Sequence, residues 1–204
     1  PVGTTPAVAA TPSPARVERG DEAPVPTVLP GDPPGTIENY EVSPVTFELR
    51  DGVLVVDGRY HVRGEGTQAN PYRVPWELLT SVGTAFEPRE GRKTIPGRVA
   101  FLEGKWVRIA GYVSFPLMTR QPRELLAMLN QWDGCCIGVP PTPYDAIEVN
   151  LSKALTGNDA FAIAGTVTGE FHIRPYLMGD WLVGLYVMEH GSLQATEFGG
   201  PGGF

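Results

Sequence analysis

A short motif occurs twice in the C-terminal half of this 204-residue chain and constrains its fold more than any other feature. Ile-Ala-Gly-Tyr-Val spans residues 109–113, and Ile-Ala-Gly-Thr-Val spans residues 163–167. Around both copies apolar side chains fall on alternate positions, which is the pattern of a half-buried β-strand. These positions are Val107, Ile109 and Val113 in the first strand and Phe161, Ile163 and Val167 in the second. A glycine inside a strand marks a bulge or a bend, and small barrels use such bends to curl a sheet. We therefore expect the two strands to lie side by side, with bends at Gly111 and Gly165.

Other segments of the C-terminal half predict more strands and one helix. Residues 147–149 and 181–188 have strand-like apolar patterns. Within residues 122–132, apolar side chains recur at helical spacing, at Leu125, Met128, Leu129 and Trp132. About five strands and one helix are typical of a small, partly open barrel of the OB type. We expect a mainly β protein with such an OB-like barrel.

Composition divides the chain into four parts. Residues 1–36 form a Pro-rich tail, 37–97 a β-hairpin extension, 98–192 the barrel, and 193–204 a Gly-rich flexible C-terminus. Within the extension, Asp51-Gly52 predicts a tight hairpin turn because glycine accepts a positive φ. Pro75 suits the start of a helix, and we predict a short helix over residues 76–81.

The tail is expected to act as an extended docking arm. Its first 35 residues contain no aromatic side chain, so they cannot bury enough apolar surface to fold alone. Residues 23–30 favour polyproline II, a preformed shape that loses little entropy when it docks into a groove. The alternative is a solvated spacer between a membrane anchor and a domain. The residues expected to contact a partner are Pro24, Pro26, Leu29, Pro30, Pro33 and Pro34.

Charge and motifs argue against several classes of function. The net charge of -7 opposes binding to a phosphate backbone, so no nucleic-acid partner is expected. No apolar run approaches the roughly 20 residues of a membrane span. The first residues lack the features of a signal peptide, so any targeting segment is expected to have been removed. No nucleophile elbow, zinc-protease motif, phosphate loop or dinucleotide fingerprint is found, and we expect no catalytic residues and no enzyme activity.

Cys135 and Cys136 are the residues with reactive potential, and three interpretations are open. They can be two small buried side chains, since free cysteine is often buried. They can form a vicinal disulfide, although neighbouring Cα atoms lie closer than ordinary bridges prefer. They can also bind zinc or copper, provided that the chain kinks near Gly134 and Gly138. The three histidines lie far apart in sequence and are expected on the surface or in loops.

A family resemblance rests on two elements, the strand Gly104-Lys-Trp-Val-Arg-Ile-Ala-Gly-Tyr112 and the turn Gly134-Cys-Cys-Ile-Gly138. With Pro140 and Tyr144-Asp145 following, this order resembles an uncharacterised family of bacterial envelope proteins. That family, a domain of unknown function, is similar to zinc-regulated lipoproteins, and the resemblance covers roughly residues 95–190. It implies an exported location, an OB-like barrel and a link to metals or envelope transport.

Together these features predict a non-catalytic periplasmic or otherwise extracytoplasmic protein. We expect it to be an accessory subunit of a larger, membrane-associated assembly, which it contacts through its barrel and its tail. We expect no cofactor. The alternative function is binding of zinc or copper by the adjacent cysteines, Cys135 and Cys136.

Overall fold

Strands dominate the computed structural model, which describes residues 28–116, 119–132 and 138–196. The predicted mainly β character is confirmed. The strands are β1 Thr36–Ile37, β2 Tyr40–Glu41, β3 Phe47–Arg50, β4 Val53–Val56, β5 Tyr60–Val62, β6 Tyr72–Arg73, β7 Phe86–Glu87, β8 Arg92–Lys93, β9 Lys105–Ser114, β10 Glu124–Met128, β11 Ala146–Leu151, β12 Ala164–Met178 and β13 Trp181–Ala195. The helices are α1 Trp76–Thr80 and α2 Gly97–Ala100, and 3-10 turns span Ser81–Thr84, Pro88–Glu90 and Gly157–Phe161.

The last five strands pair in a closed order. β9 pairs antiparallel with both β10 and β12, and β10 pairs antiparallel with β11. β11 then pairs in parallel with β13, which pairs antiparallel with β12. The sequence of pairings therefore returns to β9, and β6 adds a short parallel strand outside this ring.

The two Ile-Ala-Gly motifs lie side by side, as predicted. Gly165 on β12 is directly opposite Gly111 on β9. A Cβ atom on Gly111 would lie 2.5 Å from the carbonyl oxygen of Met128, and one on Gly165 would lie 2.6 Å from that of Gln194. Both glycines are therefore required by close approach of a neighbouring backbone. The pairing register between β9 and β12 is regular around them, and the predicted bends stay a prediction.

The helix predicted over residues 122–132 is wrong, because this segment contains β10. The spacing of apolar residues fits a helical stripe, but Leu125 and Ala127 also alternate, and both are buried. In β10 the backbone pairs with β9 on one side and β11 on the other. Pairing on both sides satisfies the backbone polar groups that a helix would satisfy internally, so tertiary context overrides the local pattern.

Two predictions for the extension are confirmed. β3 and β4 form an antiparallel hairpin in which Arg50 is opposite Val53. The two residues between them, Asp51 and Gly52, have positive φ values of 49° and 73°, as a two-residue hairpin turn requires. The short predicted helix is α1, and Pro75 precedes it as the N-cap residue.

The extension and the ring share one hydrophobic core. Buried side chains from residue 37 to residue 188 belong to a single contiguous cluster. The indole nitrogen of Trp76 donates a hydrogen bond of 2.8 Å to the carbonyl oxygen of Ala110 on β9, and the Tyr186 hydroxyl donates one of 2.9 Å to that of Leu79. The predicted boundary between residues 97 and 98 falls inside α2. Within the described ranges, no helix is long and apolar enough to cross a bilayer.

Candidate functional site

A cavity lies at the end of the ring where β9 stops and β12 begins. Its volume is about 570 Å³, within the range of pockets that bind small molecules or side chains. Four aromatic side chains line it together with smaller apolar residues and a few polar groups. The aromatic residues are Tyr112, Phe115, Trp132 and Phe161. These four residues come from β9, from the loops on either side of β10, and from the 3-10 turn before β12, so no local sequence motif predicts the cavity.

Two apolar residues at this cavity are exposed although the sequence pattern predicts their burial. Phe161 is 74% exposed and Ile163 is 47% exposed. The alternating pattern suggests a strand from residue 161, but residues 157–161 form the 3-10 turn and β12 begins only at Ala164. The carbonyl oxygen of Ile163 accepts a hydrogen bond of 2.8 Å from the backbone N–H of Val113, which holds the turn against β9. An exposed phenylalanine beside an apolar cavity is a feature of binding surfaces.

The cavity also has a cationic side chain. Arg120 lines its wall and is exposed to solvent. The neighbouring polar lining includes Thr119 and Gln131, which can donate or accept hydrogen bonds. An apolar site with a few polar groups and one guanidinium can orient an apolar ligand that carries negative charge.

The adjacent cysteines lie outside the described residues. On either side of them, Trp132 and Gly138 form an isolated antiparallel bridge, and the N–H of Val139 donates to the carbonyl oxygen of Gln131 at 3.2 Å. Gly138 has a φ of 92°, and a Cβ atom there would lie only 1.7 Å from the Gln131 oxygen. The residue must therefore be glycine. The three interpretations of Cys135 and Cys136 stay predictions.

A histidine and carboxylate cluster lies at the opposite end of β9. The Nδ1 atom of His172 lies 2.8 Å from a carboxylate oxygen of Glu103, whose other oxygen accepts the backbone N–H of Ile173 at 2.7 Å. On its other side, His172 Nε2 is 3.8 Å from Glu170, and His190 Nε2 is 4.0 Å from the same carboxylate. Sequence reasoning treated these histidines as scattered and missed the cluster. Even so, no group of three or more His, Cys, Asp or Glu side chains in the described ranges is placed to hold a metal ion.

The described part of the tail lies near this cluster. Pro34 lines a groove of about 360 Å³ together with Glu103 and His172, so it packs beside residues of its own chain. Leu29 is 47% exposed, and Pro30 and Pro33 are half-buried. Pro24 and Pro26 lie outside the described residues. Contact of the tail with a partner stays a prediction.

Two tyrosines join the extension to the ring. The Tyr144 hydroxyl donates to the carbonyl oxygen of Phe86 at 2.8 Å and lies 3.1 Å from a carboxylate oxygen of Glu87. Burial, followed by the hydrogen bond to Glu87, raises the pKa of Tyr144 to about 12. Tyr186 is fully buried, and burial raises its pKa well above the usual value. Both groups are structural, because each contacts residues of the extension and neither lines the cavity.

A second exposed apolar patch is found at the tip of the hairpin formed by β12 and β13. Its side chains are Tyr176, Met178, Trp181 and Val183. The guanidinium of Arg89 lies 3.5 Å from the centroid of the Trp181 ring, in a cation–π contact. The patch lies at the tip of a two-stranded hairpin, and none of its four side chains lines the cavity.

Comparisons with known proteins give little further information. No family model and no curated protein matches the chain. Among solved structures, the chain is similar to a DUF3299 family protein from Pseudomonas aeruginosa PAO1, with 18% identity and a TM-score of 0.40. The similarity covers 61% of this chain and 83% of that chain. A similarity of this strength carries no argument about family, fold or activity.

Proposed function

We propose that this chain is a non-catalytic accessory protein that binds another protein subunit through the aromatic cavity at the end of its ring. The single observation that carries the proposal is the cavity itself, with Phe161 exposed beside it. Binding sites for proteins are rich in aromatic anchors that are left exposed in the free molecule and become buried in the complex. The cavity is large enough to accept such an anchor or a short extended segment.

We further propose that the ring is an OB-like, partly open barrel. OB-folds are five-stranded Greek-key barrels that bind ligands on one face and through the connecting loops. The closed order of pairings among β9 to β13 supports this proposal. The cavity agrees with it as well, since its walls include the loops that enter and leave β10.

The cellular setting proposed is the bacterial envelope, where the partner would belong to a membrane-associated assembly. Support comes from the resemblance of residues 95–190 to envelope proteins, including those similar to zinc-regulated lipoproteins. Fractionation of native cells, with marker proteins for each compartment, tests this location. Recovery of the chain with cytoplasmic markers would contradict it.

The binding function is tested by quantitative affinity purification of the full chain from cells that naturally produce it. Phe161→Asp should reduce recovery of the partner at least tenfold, because a charge replaces the aromatic anchor. Trp181→Asp is the matched control, because Trp181 is also an exposed aromatic residue but lies at the hairpin tip. Equal recovery with the wild type and both variants would overturn the proposal. Thermal melts of both variants show whether folding is retained.

A further inference from the structure

The aromatic lining of the cavity has the chemistry of a polyproline-binding groove. Pro-rich segments in polyproline II conformation dock into grooves lined by aromatic side chains, since the extended helix is preformed and loses little entropy. Here Tyr112, Trp132 and Phe161 supply aromatic surface from three separate segments of the chain. The inference rests on the proposed function, because it places a ligand in the same cavity.

The chain carries a matching ligand in its own tail. Residues 23–30 read Ala-Pro-Val-Pro-Thr-Val-Leu-Pro, which favours polyproline II, and Asp21 and Glu22 precede them directly. Arg120 lies in the wall of the cavity and is exposed. A basic side chain at an aromatic groove can bind the acidic flank of a Pro-rich segment and fix its direction.

Two apolar side chains in the described part of this segment are exposed. Val28 is 76% exposed and Leu29 is 47% exposed, although both are apolar. The tail joins the body of the protein at Pro34, which lies beside Glu103 and His172. That junction is at the start of β9, whereas the cavity is at its other end.

Length argues that the ligand comes from another molecule. From Lys105 to Val113 the strand β9 covers roughly 26 Å, at about 3.3 Å per residue. From Pro34 back to Pro30, four residues of polyproline II cover only about 12 Å at about 3.1 Å per residue. Leu29 and Pro30 of the same molecule therefore cannot reach the cavity, so the tail cannot place its whole Pro-rich segment there. A neighbouring molecule has no such restriction.

We infer that the cavity at the end of the ring binds the Pro-rich segment Asp21–Pro30 of a second copy of this chain. The contact joins unlike surfaces, a tail and a cavity. Two copies that each bind the other's tail therefore form a closed dimer. If the two contacts cannot form at once, each copy binds the tail of the next and an open chain of molecules results. Self-association should depend on concentration and be lost when either the cavity or the tail is altered.

Two measurements on the full chain test the inference. The first is titration of a fluorescently labelled peptide of residues 21–30, followed by anisotropy at a protein concentration low enough to favour the monomer. Phe161→Ala and Arg120→Glu should each weaken peptide binding at least tenfold. Arg89→Glu is the control for Arg120, because Arg89 lies against Trp181 and away from the cavity. A peptide with Pro24 and Pro26 replaced by alanine should also bind at least tenfold more weakly.

The second measurement is the molar mass in solution by light scattering over a range of concentrations. The wild type should associate, and excess peptide or Phe161→Ala should return it to the monomer. Peptide binding that is unchanged by Phe161→Ala overturns the inference. The inference is also overturned by two results together: the wild type is monomeric at every concentration, and deletion of residues 1–27 makes the protein bind the peptide more tightly. These results would show that the tail of the wild type occupies the cavity of its own molecule.

Failure of this inference is distinct from failure of the proposed function. If the peptide does not bind, but Phe161→Asp still loses a partner from native cells, the cavity serves a different protein and only the self-recognition is wrong. If neither result depends on Phe161, the cavity has no binding role and both proposals fail.

Discussion

The two ends of the ladder between β9 and β12 differ in what covers them. At the first end, Phe171 is fully buried, its ring centroid lies 5.3 Å from that of Tyr186, and the Glu103 carboxylate accepts the backbone N–H of Ile173. We call this the capped end. At the other, open end, Phe161 and Ile163 are exposed beside the cavity. The same pair of strands therefore has a closed core at one end and a free apolar surface at the other.

The difference follows from where the extension packs. Side chains of residues 37–102 join the buried cluster that includes Phe171. Phe101, for example, packs edge-on against Tyr72 at a centroid distance of 5.6 Å. In the described ranges, Phe161 and Ile163 have no comparable cover. The extension of the same chain thus covers the capped end. We therefore expect the stability of the protein to depend on the capped end and its binding to depend on the open end.

The largest expected effect separates the two phenylalanines. Phe171→Ala should lower the free energy of unfolding by about 3–5 kcal/mol, because a fully buried aromatic ring is removed and a cavity remains. Phe161→Ala should change it by less than about 0.5 kcal/mol, since the ring is mostly exposed. Urea unfolding of both variants measures the difference. Similar losses would show that the open end belongs to the core.

A substitution at Gly111 tests the close approach of β9 and β10. Gly111→Ala should lower the free energy of unfolding by about 1–3 kcal/mol, because the added Cβ meets the Met128 carbonyl oxygen on β10. Gly35→Ala is the control, as no heavy atom lies within 4 Å of a Cβ there. Differential scanning calorimetry compares the two. An unchanged melting temperature for Gly111→Ala would count against the close approach of the backbones.

Alkaline pH should weaken the junction of the extension with the ring. The pKa values of Tyr144 and Tyr186 are raised in the folded protein, so the folded state retains protons that the unfolded state releases above about pH 10. Stability from these groups is present below pH 10 and is lost as pH rises toward 12 and beyond. Tyr144→Phe should flatten the fall in stability between pH 10 and pH 12, and denaturant melts across this range measure it. A fall as steep as that of the wild type would contradict the assignment.

The smallest expected effect concerns the two adjacent cysteines. We expect Cys135 and Cys136 to be free structural thiols, so both should react with an alkylating agent under denaturing, non-reducing conditions. Mass spectrometry counts the labels, and a vicinal disulfide would leave both residues unlabelled. Stoichiometric zinc or copper in the purified protein, lost in Cys135→Ser, would instead support the alternative metal function.

The paired strands β9 and β12 were easier to predict from sequence than the side-chain contacts at either end of their ladder. Alternating apolar residues and mid-strand glycines predicted β9, β12 and their contact, because these patterns reflect local periodicity. The same periodicity misled at Phe161 and Ile163, where the alternation continues into a 3-10 turn. It misled again at residues 122–132, where helical and strand spacings coincide and only pairing with β9 and β11 decides.

The cavity and the histidine cluster could not be predicted, because their parts are distant in sequence. The contact of His172 with Glu103 joins residues that are 69 positions apart. Trp132 lies in the loop after β10 and Phe161 lies in the 3-10 turn before β12, yet both line the same cavity. Composition and spacing carry no information about such contacts until the order of strands is known.

The carboxylate of Glu103 has a consequence for how the protein behaves when it is concentrated. β12 extends past its last pairing with β9, and unpaired strand edges recruit other molecules into growing sheets. On this edge the N–H of Ile173 already donates a hydrogen bond to the Glu103 carboxylate, and Pro175, two residues further, has no N–H. One acidic side chain and one proline thus remove backbone donors that this edge would otherwise offer to another molecule, which opposes aggregation through the edge. The proposed exchange of tails at the open end is then the way in which copies associate.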